Sequence, residues 1–156
     1  MADAITRPAE IRAFEPADAD SLIALWQACG LTRPWNDARK DIARKMADSP
    51  WGLLVADRAR EVVGGVMVGY DGHRGSVNYL AVAPSARGVG IGTALMDAAE
   101  GALLMRGCPK INLQVRPENA DVIAFYARRG YSTFAPGDQA TNLGLRLDHD
   151  GPAPSS

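Results

Sequence analysis

The sequence predicts a single α/β domain (residues 1–156) built on a mixed sheet, and three observations carry that expectation. The apolar period switches repeatedly between two and 3.6 along the chain, as it does where strands alternate with amphipathic helices. A meander of strand-like segments is followed by strand-helix-strand-helix alternation, which implies a mixed sheet with helices on both faces. The size, 156 residues and 16.6 kDa, suits one domain, and 47% apolar with 22% charged residues matches an ordinary globular protein.

Residues 11–14 read as a short strand. Asp18 or Asp20 can cap a helix in which Leu22, Leu25, Trp26 and Cys29 fall at i, i+3, i+4 and i+7, and Gly30 supplies its stop. Residues 31–36 make a turn broken by Pro34, and residues 37–48 a second, more polar helix that buries Ile42 and Met46. Pro50 ends that helix. Residues 51–56 and 61–70 are apolar and β-branched strands joined by a hairpin, and Asp-Gly-His-Arg-Gly at 71–75 is a second turn into a strand over 76–82. After a loop at 84–89 comes a long helix, 90–106, with Ile91, Leu95, Ala99 and Leu103 stepping by four along one face. Residues 110–115 alternate, with Ile111, Leu113 and Val115 on one side. Asn119 or Asp121 can cap a helix that ends at Gly130, and strands over 131–134 and 141–147 close the order β-α-α-β-β-β-α-β-α-β-β. The ends, 1–9 and 148–156, are expected to be mobile.

Seventeen basic residues against eighteen acidic ones leave a net charge of −1, without the basic excess of a general nucleic-acid binder. No run reaches the ~20 apolar residues of a membrane span, and residues 1–10 lack the apolar region of a secretory signal, so a cytoplasmic protein is expected. Two cysteines make neither a disulfide framework nor a zinc quartet, and no cluster has metal-ligand spacing, so no metal is expected. Cys29 and Trp26 read as core. Cys108 has no histidine placed to activate it.

The most informative segment is Leu80-Ala81-Val82-Ala83-Pro84-Ser85-Ala86-Arg87-Gly88-Val89-Gly90-Ile91-Gly92-Thr93. A strand runs into alternate glycines that open a helix, where free N–H groups and the positive dipole end suit a phosphate. A dinucleotide fingerprint fails because Thr93 stands where the third glycine belongs, and a P-loop fails for want of a lysine. The pattern that fits is Arg-x-x-Gly-x-Gly, through Arg87, Gly90 and Gly92. The competing role for the glycines is simply a tight strand-to-helix turn.

Here the sequence resembles the GCN5-related N-acetyltransferases (GNAT). The likeness rests on the element order, the Arg87–Gly92 loop, Leu80-Ala81-Val82-x-Pro84 before it, and Asn119…Ala124-Phe125-Tyr126…Gly130-Tyr131 after it. Three further segments, Leu31-Thr32-Arg33-Pro34-Trp35-Asn36-Asp37, Gly69-Tyr70-Asp71-Gly72-His73-Arg74-Gly75 and Arg106-Gly107-Cys108-Pro109-Lys110, are similar to its YpeA-like bacterial subgroup. The resemblance implies the GNAT acyl-CoA N-acyltransferase fold, with acetyl-coenzyme A as acyl donor and a primary amine as acceptor. The sheet would be splayed beside residues 80–82 to admit the thioester. It also implies that the main chain of Leu80, Ala81 and Val82 pairs with the pantetheine arm. The N–H groups of Arg87, Gly88, Val89, Gly90, Ile91 and Gly92, with Thr93 beside them, would bind the pyrophosphate, and Asn119 would lie close to the donor. Tyr126 takes the position of the general acid that protonates the leaving thiolate. Its competing role is a core aromatic, since Val122, Phe125 and Tyr126 share a helical face.

Gln114 stands where some relatives carry a glutamate base, and an amide cannot accept the proton. A water relayed to Asp71, His73, Tyr79 or Glu118 could replace it, or the acceptor could arrive already neutral; His73 draws attention because a histidine's ordinary pKa of ~6.5 suits a base. The acceptor pocket is expected around Trp35, Asn36, Tyr79 and Gln114. The partners expected are acetyl-CoA and an amine, with no nucleic acid and no membrane, for a monomer or homodimer. The alternatives are a catalytically silent acyl-CoA binding or sensing module and a nucleotide-dependent regulator.

Overall fold

A computed structural model describes residues 8–134 and 141–147. The tail with His149 and most of the expected mobile N-terminus lie outside the described residues. The chain forms two compact units, Met1–Gly69 with Asn78–Ala102 and Tyr70–Val77 with Leu103–Ser156.

In the first unit, β1 (Glu10–Ala13) pairs antiparallel with β2 (Leu53–Arg58), which pairs antiparallel with β3 (Glu61–Tyr70). The β2–β3 turn places Ala59 and Arg60 at φ 53° and 68°, the left-handed pair a tight hairpin needs. Helix α1 (Ala19–Ala28) buries Leu22, Leu25 and Trp26, as its spacing predicts, and Cys29 follows it half-buried. Helix α2 (Ala38–Asp48) is capped by Asp37, whose carboxylate accepts from the N–H groups of Arg39 and Lys40. It buries Ile42 but leaves Met46 only half-buried. These helices close over a core of Phe14, Leu22, Leu25, Trp26, Ile42, Leu53, Val55 and Ala81.

Two local expectations are corrected here. Asp18 does not cap α1 with its side chain: a short 3-10 turn, Pro16–Asp18, precedes the helix, and the carboxylate takes both ends of the Arg12 guanidinium at 2.8 and 3.0 Å. Trp51 does not begin a strand. Pro50, with its fixed φ, starts another 3-10 turn, Pro50–Gly52, and β2 begins at Leu53.

Strand β4 (Gly75–Val82) contributes Asn78–Val82 to the first unit and Gly75–Val77 to the second. Helix α3 (Ile91–Met105) follows, and Ile91, Leu95, Ala99 and Leu103 are all buried, as the step of four predicts. In the second unit, Gly75 and Ser76 pair parallel with Ile111 and Asn112 of β5 (Lys110–Val115). Strand β5 pairs antiparallel with β7 (Thr141–Arg146), which pairs antiparallel with β6 (Ser132–Phe134). Ile111, Leu113 and Val115 are buried, the alternation of a one-sided strand. Helix α4 (Ala120–Arg128) buries Tyr126 but leaves Val122 exposed, which corrects the expected shared face. Tyr126 packs edge-on against Phe125 and Tyr131, each at 5.2 Å. In hydrogen-bonding order the strands read β1-β2-β3-β4-β5-β7-β6, the expected mixed sheet. No described helix is long and apolar enough to cross a membrane.

Two predictions follow from this packing. The Arg12 guanidinium, aided by the Glu15 N–H, holds the Asp18 carboxyl below the usual carboxylate range. A group depressed on folding contributes stability above its unfolded pKa of ~3.9 and loses it as pH falls through the lower folded value. Asp18→Asn should therefore cost about 1.5–3 kcal/mol at pH 7 in urea unfolding, with the gap from wild type closing below pH ~4. At Gly52, an added Cβ would lie 2.0 Å from the Val68 carbonyl oxygen, a backbone atom that cannot give way cheaply. Gly52→Ala should cost about 1–3 kcal/mol by the same measurement.

Candidate active site

The strand-to-helix junction is built by local rules. After β4 a 3-10 turn, Pro84–Ala86, leads to Arg87 in extended backbone, then Gly88 at φ 83° and Gly90 at φ 87°. An added Cβ on either glycine would meet nothing within 4 Å, so it is the left-handed backbone, and not crowding, that requires glycine. The first α3 bond runs from the Ala94 N–H to the Gly90 carbonyl, at 3.0 Å. The amides of Ile91, Gly92 and Thr93 precede it and have no acceptor within the helix. Residues 87–90, which lead into this positive helix end, are exposed. Arg87 donates from Nε to the Val82 carbonyl at 3.1 Å, and its Nη2 lies 3.6 Å from Cys29 Sγ. The guanidinium is thus tethered at the end of β4. Such a cradle fits a pyrophosphate, and the main chain of Leu80, Ala81 and Val82 leads directly into it.

The same unit holds a cavity of about 630 Å³ lined by Asn36, Asp41, Arg44, Lys45, Asp48 and Tyr79, among others. Two of the expected acceptor residues, Asn36 and Tyr79, line it. Trp35 does not: it is 76% exposed. Tyr79 donates from its hydroxyl to Asp41 Oδ2 at 2.8 Å, and Asp41 Oδ1 accepts from Arg44 at 2.7 Å. Burial, then the Asp41 contact, pushes the Tyr79 phenol up to about 12, which removes it as a proton acceptor near neutral pH. Lys45 is half-buried, bonded to Ser49 Oγ at 2.8 Å and to the Val68 carbonyl. Burial pushes its ammonium below the ordinary lysine range. The charged face of α2 was not legible as a site, because Asp41, Arg44, Lys45 and Asp48 at helical spacing look like a solvated face. The one signal available was the placement of Asn36 just ahead of them.

The remaining candidates belong to the second unit. Asp71 accepts from the N–H groups of His73 and Arg74, both at 2.8 Å, and these bonds hold its carboxyl below the usual range. That geometry makes Asp71 a turn residue and a poor proton acceptor. His73 is exposed on the same turn, with Nδ1 3.5 Å from the Arg74 guanidinium. Gln114 is exposed on β5 and donates to Oδ1 of Asn142, its paired residue on β7, at 3.1 Å. Asn119 is exposed at the start of α4 and makes no side-chain cap. Tyr126 is 4% exposed, and Cys108 is buried, donating to the Lys110 carbonyl.

The strand meander, the parallel β4–α3–β5 connection and the glycine junction define a scaffold of the acyltransferase class. The chain belongs to the acetyltransferase (GNAT) family, whose model matches residues 19–131. It is 49% identical over 141 residues to an acetyltransferase of Sodalis glossinidius, a match spanning 90% of this chain and 97% of that relative. Among solved structures it is similar to Ard1 from Thermoplasma volcanium, with a TM-score of 0.80 at 24% identity, covering 92% of this chain and 100% of that one. It is also similar to yncA from Salmonella typhimurium, solved with its cofactor acetyl-CoA, with a TM-score of 0.77 at 21% identity, covering 96% and 99%. The expected family and fold therefore hold.

Proposed function

We propose that this protein transfers the acetyl group of acetyl-CoA to a primary amine, on a small molecule or a protein N-terminus, by direct attack of the amine on the thioester. The observation that carries the reading is the junction after β4: left-handed Gly88 and Gly90, amides without an intrahelical acceptor at the start of α3, and Arg87 tethered beside them. Coenzyme A carries several negative charges, and this loop supplies donors to them without a basic surface. The similarity to a structure solved with acetyl-CoA supports the same choice of donor. The main chain of Leu80–Val82 would hold the pantetheine arm, and a strand N–H would meet the developing oxyanion. The acceptor would enter the cavity bordered by Asn36 and Tyr79.

Tyr126 is assigned the proton delivered to the leaving thiolate, a task a phenol hydroxyl can perform as a general acid. Its burial between Phe125 and Tyr131 equally suits a packing role, and the phenylalanine variant separates the two. With Asp71 bound into its turn, the exposed His73 imidazole is the group on that loop proposed to take the acceptor's proton.

Calorimetry should show acetyl-CoA binding far more tightly than ATP or NAD, since the loop fits neither nucleotide motif. Gly90→Val should abolish that binding by forcing φ out of the left-handed region, and Arg87→Ala should weaken it by about 1–3 kcal/mol. Equal affinity for all three ligands, or an unchanged Gly90→Val, would refute the assignment. For Tyr126→Phe, steady-state thiol release should fall ~10²–10⁴-fold in kcat with acetyl-CoA affinity within a few-fold. Normal turnover per folded molecule, with a lower melting temperature, would make Tyr126 a core residue.

A further inference from the structure

Three described residues other than glycine have left-handed backbone. Ala59 and Arg60 make the β2–β3 turn, but Tyr79, at φ 55°, lies within β4, where no turn accounts for it. A side chain in this region is strained and persists only where its surroundings over-determine it. Tyr79 has such surroundings. Its ring stacks on Trp26 of α1, with centroids 4.0 Å apart and planes 15° apart, and Trp26 is fully buried. Its hydroxyl is fixed at the other end by Asp41 of α2, at 2.8 Å, and Asp41 is itself held by Arg44. The raised phenol pKa keeps that hydroxyl protonated, hence a permanent donor. Two helices therefore grip one side chain of the strand.

The next residues are Leu80–Val82, whose main chain the proposed reaction uses. If Tyr79 relaxed to extended backbone, the N–H and C=O groups that follow would be re-aimed. Resting on the acetyl-transfer reading above, we propose that Asp41 is a positioning residue for that reaction: through Tyr79, with Trp26 gripping the ring, it holds the left-handed step that aims the main chain of Leu80–Val82. Asp41 does this as a hydrogen-bond acceptor. One of its oxygens serves Tyr79 and the other Arg44, so its charge is already answered within the protein.

The test compares Asp41→Ala, Asp41→Asn and Tyr79→Phe with the wild type. Four quantities are measured: kcat, the KM of the amine, the acetyl-CoA affinity, and hydrogen exchange of the amides of residues 80–82. The expected result is a ~10–100-fold loss of kcat in Asp41→Ala and Tyr79→Phe, with acetyl-CoA affinity within a few-fold and faster exchange at those amides. Asp41→Asn, which keeps an acceptor oxygen, should recover most of the lost rate. Wild-type kcat and exchange in both truncating variants would overturn the proposal. So would an Asp41→Asn that raises the amine KM with kcat and exchange unchanged, because Asp41 would then bind the acceptor's cation. A wild type that binds acetyl-CoA but releases no thiol with any amine would refute the transfer reading instead. The exchange result then decides the clamp alone: faster exchange in the two truncating variants supports it, and unchanged exchange refutes it.

Discussion

The close seating of α3 on the strands beneath it is the constraint on which the rest of the first unit depends. At Gly64 of β3, an added Cβ would lie 3.0 Å from a Leu95 methyl and 3.1 Å from both an Ile91 methyl and the Ala81 carbonyl oxygen. A side chain there would push on these neighbours, which would have to give by a few tenths of an ångström. Because Gly64 has none, Ile91 and Leu95 bury fully against the sheet, each worth on the order of 1.5–3 kcal/mol. That packing fixes where α3 begins, and so fixes the short path from Val82 to Ile91. The loop's conformation is in this sense set from beneath, by the core, before any ligand arrives.

On the proposed reading, this arrangement also explains how a chain of net charge −1 would offer a site to a polyanion. The proposed donors are backbone N–H groups at a helix start, whose partial charge costs nothing in surface composition. One guanidinium, Arg87, adds full charge, and its bond to the Val82 carbonyl limits the freedom it loses on meeting a ligand. A basic face would attract any polyanion. A cradle of directed amides selects by shape.

What could be read from the sequence was what local rules decide. The ridge Ile91-Leu95-Ala99-Leu103, the alternation of Ile111, Leu113 and Val115, and the glycine-bearing loop all follow from periodicity or backbone restriction within a few residues. The misses depend on partners elsewhere. Trp51 reads as strand by composition, but Pro50 bends the chain into a turn. Asp18 has the look of a helix cap, yet Arg12, also bonded to Asp57 at 3.2 Å, reaches it first. Val122 is exposed because the packing of Tyr126 against Tyr131 decides how α4 is rotated. The charged face of α2 becomes a cavity wall only because Tyr79, 38 residues beyond Asp41, comes to meet it.

Gly88, Gly90 and Tyr79 occupy the same left-handed region for opposite reasons. The two glycines have open space where a side chain would be, which suits a loop whose task is to leave its amides accessible. Tyr79 needs its side chain, because only a long aromatic can span from the strand to Trp26 and Asp41 together. The Trp26 indole N–H is buried with no acceptor among the described residues, an unmade hydrogen bond in the core of the first unit. A glycine at position 79 would remove the backbone strain, but it would leave the strand free to take either conformation. Backbone strain on one side, and a single conformation of β4 on the other, are two consequences of the same contact.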